Sequence, residues 1–161
     1  MKIKRALIIR TVKAELIPVL MAEWKISLPE AEFDILTHYG QHNLKYFESD
    51  FRKIYIYKAV KDFYIYGLSL SEIKELRKQN YNAVIFPHRN PDYQGFSNVI
   101  ILIMFLGAGK IFHSGPNGIL KPLSRFVLIK LAAETVLTTL LFVIMLPISF
   151  LLLFIVRLFK K

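Results

Sequence analysis

Apolar and polar positions along the first two thirds of the chain follow two periods in turn, that of strands and that of helices. Ile3–Arg10 is a short apolar run bounded by charge and reads as a buried strand. Val12–Ser27 then places Leu16, Leu20 and Trp24 at four-residue intervals, the spacing of one helix face. Pro18 falls near the start of that segment, where a helix tolerates proline. Glu32–His38 alternates as a strand, Gly40–Asp50 reads as a loop with room for one short helix, and Arg52–Lys58 alternates again. Ser69–Asn80 predicts a helix capped by Ser69 or Ser71. Its Glu72 and Glu75 come early and its Arg77 and Lys78 late, the charge order that complements a helix dipole. Ala83–Phe86 predicts a fully buried strand ending at Pro87. Phe96–Leu106 is apolar all round but too short to span a bilayer, so it predicts a helix buried against the sheet. Lys110–His113 is a last short strand, followed by a Gly115–Gly118 turn. This alternation predicts an α/β fold over residues 1–118. It would be a single Rossmann-like domain with a parallel sheet of about five strands, helices on both faces and right-handed crossovers.

The pattern changes after residue 118. Leu120–Glu134 mixes Leu, Phe, Val and Ile with Lys121, Arg125 and Lys130. It suits either a helix lying in the headgroup layer, over 119–134, or the first turns of a spanning helix. Thr135–Val156 then holds 22 residues and no charged residue or histidine. As a helix it would be about 33 Å long, matching a hydrocarbon core about 30 Å thick. Arg125 and Lys130 before it, and Arg157, Lys160 and Lys161 after it, could snorkel to headgroups. Residues 135–161 are therefore expected to be a membrane anchor with a basic tail. Pro147 divides the run and allows two forms, a kinked spanning helix or a re-entrant hairpin.

Composition narrows the partners. The chain has no cysteine, which excludes disulfides and thiolate metal sites, and neither a metal nor a cofactor is expected. The net charge is +10, and through Arg125 the 18 basic residues still outnumber the 11 acidic ones. A basic surface suits nucleic acid or anionic lipid and phosphate-bearing substrates. No nucleic-acid-binding motif is present, so membrane lipid is the expected partner and nucleic acid is not. The apolar stretch in MKIKRALIIR is too short for a signal peptide, so the domain is expected to stay in the cytoplasm, with a single-pass or monotopic anchor.

Ligands of open α/β sheets bind beyond the carboxyl ends of the strands. The predicted strand ends carry Arg10, His38, His88 with Arg89, and His113, so three of the four histidines fall there. The grouping suggests a phosphate or sugar site lined by imidazole and guanidinium donors, or simply polar residues where strands meet solvent. Gly107-Ala108-Gly109-Lys110 lacks the full spacing of a phosphate loop and follows a helix. Tyr55, Tyr57, Phe63, Tyr64 and Tyr66 suit strand packing or a headgroup belt.

The segments IIR, LPEAEFDILTH, FRKIYIY, LRKQNYNAVIFPHRN and FLGAGKIFHSG resemble the N-terminal half of heptosyltransferase-like glycosyltransferases of the GT-B class. The resemblance covers most of residues 3–115. It implies an acceptor-binding Rossmann-like half, paired in the family with a second half that binds the nucleotide sugar. The family carries a glycine-rich turn with a catalytic Asp after its first strand. Here that turn reads Arg10-Thr11-Val12-Lys13-Ala14-Glu15, without Gly or Asp, and an apolar run stands where the second half would begin. Two functions follow from the resemblance. In one, the chain is the anchored acceptor half of a split or oligomeric transferase in lipid-linked glycan or polysaccharide assembly. A partner protein or second copy would supply the nucleotide-sugar site. Arg10, Lys13, His38, His88, Arg89 and His113 would bind phosphate or sugar oxygens, with Glu15 or His88 as the catalytic base. In the other, it is a non-catalytic scaffold that recruits glycan-assembly proteins to the membrane.

Overall fold

The structure, a computed structural model, describes residues 2–38, 50–58, 63, 67–88 and 96–159. Within 125, 132 and 148–159 it describes the backbone but not the side chains. The expected short helix between 40 and 49, Arg89, Tyr64, Tyr66 and the side chains of Arg125 and Arg157 therefore lie outside the described residues. The chain forms two compact units, Met1–Arg125 and Phe126–Lys161.

In the first unit the strands are β1 (Arg5–Ile9), β2 (Glu32–His38), β3 (Lys53–Tyr57), β4 (Ala83–Pro87), β5 (Lys110–Ser114) and β6 (Leu120–Pro122). They form one sheet in the order β3-β2-β1-β4-β5-β6. The first five strands are parallel, as the alternating pattern predicts, and β6 returns antiparallel to β5. Between them run α1 (Ile17–Ser27), α2 (Leu70–Lys78) and α3 (Ser97–Leu106).

Two boundaries move from the pattern. The helix expected from Val12 begins only at Ile17, preceded by one 3-10 turn at Ala14–Leu16, because Lys13 is still extended at φ −59° and ψ 145°. Pro18 then fits the first helical turn, where its missing N–H has no partner to lose. The segment from Leu120 was expected to be helical and instead opens with β6. Three residues are too few to show a strand period, and their pairing with β5 is decided by the turn before them.

The helix over 70–78 is capped by Ser69 in a capping box. The Ser69 hydroxyl accepts from the Glu72 N–H at 3.2 Å, and the Glu72 carboxylate accepts from the Ser69 N–H at 2.7 Å.

Strand alternation divides the core into two layers. Ala6, Ile8, Phe33, Ile35, Ala83 and Ile85 pack with α1 residues Ile17, Leu20, Met21 and Trp24. The intervening positions Leu7, Ile9, Leu36, Val84 and Phe86 are fully buried and point to the opposite face. On that face Asp34, 1% exposed, accepts hydrogen bonds from Arg52 (Nε, 3.0 Å) and the Tyr81 hydroxyl (2.6 Å).

The second unit is the helix α4, Arg125–Phe159. It continues through Pro147, so the chain makes no reversal of the kind a re-entrant hairpin needs. Its segment Phe126–Pro147 has 22 residues with mean hydropathy 2.1, long and apolar enough to cross a membrane by length and composition. The hydroxyls of Thr135, Thr138 and Thr139 donate to carbonyls one turn back at 2.7–2.8 Å, so these polar groups are satisfied within the helix. Lys130 and Glu134 pair at 3.8 Å one turn apart.

Candidate functional site

The strand order reverses direction between β1 and β4, which opens a crevice at the carboxyl ends of those strands. The Thr11 hydroxyl donates to the Pro87 carbonyl across this point and ties the two ends together. Next to it the His88 N–H donates to the Ser114 carbonyl at 2.8 Å, carrying the sheet register one residue past β4.

This register sets His88 beside His113. Their rings stack with centroids 5.0 Å apart, and His88 Nε2 lies 2.7 Å from His113 Nδ1, so one nitrogen donates and the other accepts. Phe86 and Phe96 flank the His88 ring, each 5.9 Å from it. Lys121 is the cross-strand partner of His113 in the β5–β6 ladder and lies on the same face. The two histidines, Lys121 and Asn117 line an open cleft of about 520 Å³. A second cavity of about 210 Å³ shares His88, Gly115 and Pro116 with it, and is otherwise apolar, lined by Val12, Leu16, Val19, Leu20 and Pro87. The turn joining β5 to β6 passes close over α1. Gly118 has φ +76°, and a Cβ there would lie 2.7 Å from Glu23 Cβ, so this position requires glycine.

The expected strand-end group is only partly brought together. Arg10 is 2% exposed, and its guanidinium donates to Thr37 Oγ1 at 2.5 Å and to the Val12 carbonyl at 3.1 Å. Burial lowers its pKa, partly offset by the charge of Glu15. It braces the ends of β1 and β2 and lines neither cavity. His38 packs on Phe63 (4.1 Å) and Tyr57 (5.3 Å), so Tyr57 and Phe63 act in packing. Lys13 and Glu15 are exposed on the β1–α1 connection and line neither cavity. For His38 the reason is strand order, since β2 and β5 stand three strands apart, roughly 14 Å; Arg10, on β1 beside β4, is held instead by its bonds to Thr37 and Val12. Gly107–Lys110 lies at the opposite end of the sheet, between α3 and the start of β5. Asn117 and Lys121 were not legible as site residues. The SGPNG turn was, but only its return as a strand puts Lys121 beside His113.

Burial, the charge of His88 and the charge of Lys121 push the His113 pKa below its ordinary value of 6.5. The unfolded chain then binds more protons than the folded one as pH falls through the ordinary value, so stability falls with pH there. Above that value both states are neutral at this position and the effect vanishes. The thermal midpoint of the detergent-solubilised chain, followed through Trp24 fluorescence, is expected to be level from pH 8 to 7 and to drop below 6.5. His113→Asn, which keeps an acceptor or donor near Nδ1, should flatten part of that drop. An unchanged slope would remove His113 as its source.

No protein-family model matches this chain, and no curated protein does. Among solved structures, the E. coli ADP-heptose lps heptosyltransferase II is similar over 68% of this chain, with a TM-score of 0.50 and 12% sequence identity. At that identity the likeness shows the fold alone. This chain covers 30% of that enzyme's length.

Proposed function

We propose that this chain is the membrane-anchored, acceptor-binding half of a split or oligomeric glycosyltransferase acting in lipid-linked glycan or polysaccharide assembly. The observation that carries this reading is the meeting of His88 and His113 at the carboxyl ends of β4 and β5, next to the strand-order reversal, in a cleft that also holds Lys121 and Asn117. The glycosyltransferase-like fold supports it. Imidazole and ammonium donors suit the oxygens of a phosphate or sugar. His88 is the candidate base acting through His113, because one His88 nitrogen is bonded to His113 and the other is buried. As His113 takes a hydroxyl proton on its Nε2 it passes the one on Nδ1 to His88 Nε2. Helix α4 anchors the chain, with Arg125, Lys130 and Arg157 at the headgroups and the α/β unit in the cytoplasm. A partner protein or second copy supplies the nucleotide-sugar site.

One observation favours the scaffold reading: among the described residues no Asp or Glu lines either cavity. Two measurements on the full chain separate the readings. Calorimetric titration in detergent with inorganic pyrophosphate should show binding that weakens at least about tenfold in His88→Ala and in Lys121→Ala, the effect of one charge-assisted hydrogen bond. Tagged chain recovered from native membranes should carry an associated protein that, together with it, transfers sugar, and His88→Ala should abolish transfer. Pyrophosphate binding without any associated transferase would favour the scaffold. Neither binding nor transfer would overturn the proposal.

A further inference from the structure

The amino-terminal edge of the sheet, opposite the cleft, carries unmatched positive charge. Lys4 precedes β1, Lys110 begins β5, and Arg77 and Lys78 end α2. All four are exposed and make no ion pair among the described residues. Asn82 holds two of them in place. Its side-chain oxygen accepts from the Lys4 N–H at 3.0 Å, and its carbonyl accepts from the Lys110 N–H at 2.9 Å. Lys4 and Lys110 thus stand on either side of β4, about 10 Å apart at two strand spacings. Arg77 and Lys78 close the helix that feeds β4, and the Arg77 carbonyl accepts from the Asn80 N–H at 3.1 Å.

The nearby carboxylates are already matched. Glu30 pairs with Lys2 at 2.6 Å, Glu32 with Arg5 and Arg52 at 3.8 Å, and Glu75 with Lys53 at 2.5 Å. The cations on this edge are therefore in surplus. The β6 strand also returns the chain to this edge, where the Leu123 N–H donates to the Ile111 carbonyl at 2.8 Å just before α4 begins.

We propose that this edge is a docking face for an anionic lipid surface. The inference rests on the membrane anchoring proposed above. Basic residues near an anionic leaflet are drawn to it within a Debye length, about 8 Å at physiological salt. Lipid fits better than single-stranded nucleic acid, whose binding uses exposed aromatic platforms. Tyr81, the aromatic residue beside these cations, is buried. Docking by this edge places the cleft about 17 Å away, the length of a five-residue strand. An acceptor reaching His88 must then project from the headgroups, as a glycan chain does and a bare lipid phosphate does not.

The chain has no cysteine, so single labels can be placed cleanly. The full chain would be put into nanodiscs with a fluorescent donor on Ala108→Cys, at this edge, or on Asn117→Cys, at the cleft, and with headgroup-labelled acceptor lipid. With one third phosphatidylglycerol, energy transfer from position 108 should exceed that in pure phosphatidylcholine and exceed that from position 117. Salt at 1 M should erase the gain. Each of Lys4→Gln, Arg77→Gln, Lys78→Gln and Lys110→Gln should lower the docked-to-free ratio about fivefold. Equal transfer in the two lipids, or stronger transfer from position 117, would overturn the proposal while leaving the anchor intact. Failure of the chain to enter nanodiscs at all would instead strike the anchoring itself. RNA binding to chain in uncharged discs, lost in the same four variants, would replace lipid by nucleic acid and overturn it too.

Discussion

Replacing Arg52 with alanine should cost the folded α/β unit about 3–5 kcal/mol, the range for breaking a buried ion pair from one side. Its guanidinium meets both oxygens of Asp34, a carboxylate with 1% of its surface exposed. Without Arg52 that charge keeps, among the described residues, only the Tyr81 hydroxyl at 2.6 Å. Tyr81 can donate but cannot neutralise: burial, then its bond to Asp34, pushes its pKa far up and holds the phenol protonated. The lower end of the range is expected, because the Arg52 side chain is 34% exposed and the pair is partly screened. Urea unfolding followed by Trp24 fluorescence measures the loss. Adding Asp34→Asn to the Arg52→Ala chain removes the stranded charge and should recover most of it. A loss under about 1 kcal/mol, or no recovery in the double variant, would show that the buried charge is not what Arg52 holds. Asp34, Arg52 and Tyr81 lie toward the amino ends of the strands, so pyrophosphate binding by the molecules that remain folded should be unchanged.

Trp24→Ala should cost a similar amount, about 3–5 kcal/mol, by emptying a core site. The indole is fully buried between α1 and the sheet. Its Nε1–H donates to Ser114 Oγ at 3.1 Å, and the Ser114 carbonyl in turn accepts from the His88 N–H at 2.8 Å. The ring therefore supports the floor of the cleft as well as the core. Trp24→Phe keeps most of the volume and loses the donor. It should cost about 1 kcal/mol, the net worth of one hydrogen bond, because Ser114 Oγ keeps its contact with the Gly115 carbonyl. Pyrophosphate binding should weaken in Trp24→Phe. Far-UV circular dichroism is the measurement of choice, since Trp24 is the chain's sole tryptophan. If Trp24→Phe left both stability and binding unchanged, the bond to Ser114 would carry neither.

The local features were legible because their causes are local. Period-two runs gave β2 and β3, the Ser69–Glu72 spacing gave a helix start, and the apolar run from Thr135 falls within one long helix, whose segment Phe126–Pro147 is long and apolar enough for a bilayer. Each depends on residues within a few positions of one another. The fold class followed from their order, since parallel strands need crossover helices.

The composition of the site was not legible in the same way. Arg10, His38, His88 and His113 look equivalent along the chain, each closing a predicted strand. The sheet order β3-β2-β1-β4-β5-β6 makes them unequal. It sets His88 against His113, turns Arg10 into a buried brace on Thr37, and leaves His38 packed on Phe63. The short return strand Leu120–Pro122 adds Lys121 to the cleft and brings the chain back to the basic edge before the long helix begins. Periodicity and length are properties of neighbours, so the chain pattern was enough for the first five strands and the apolar helix, but not for the return strand Leu120–Pro122. Which strand ends meet is settled by tertiary pairing, which in the parallel part of the sheet joins residues far apart along the chain; His88 and His113 themselves are 25 positions apart.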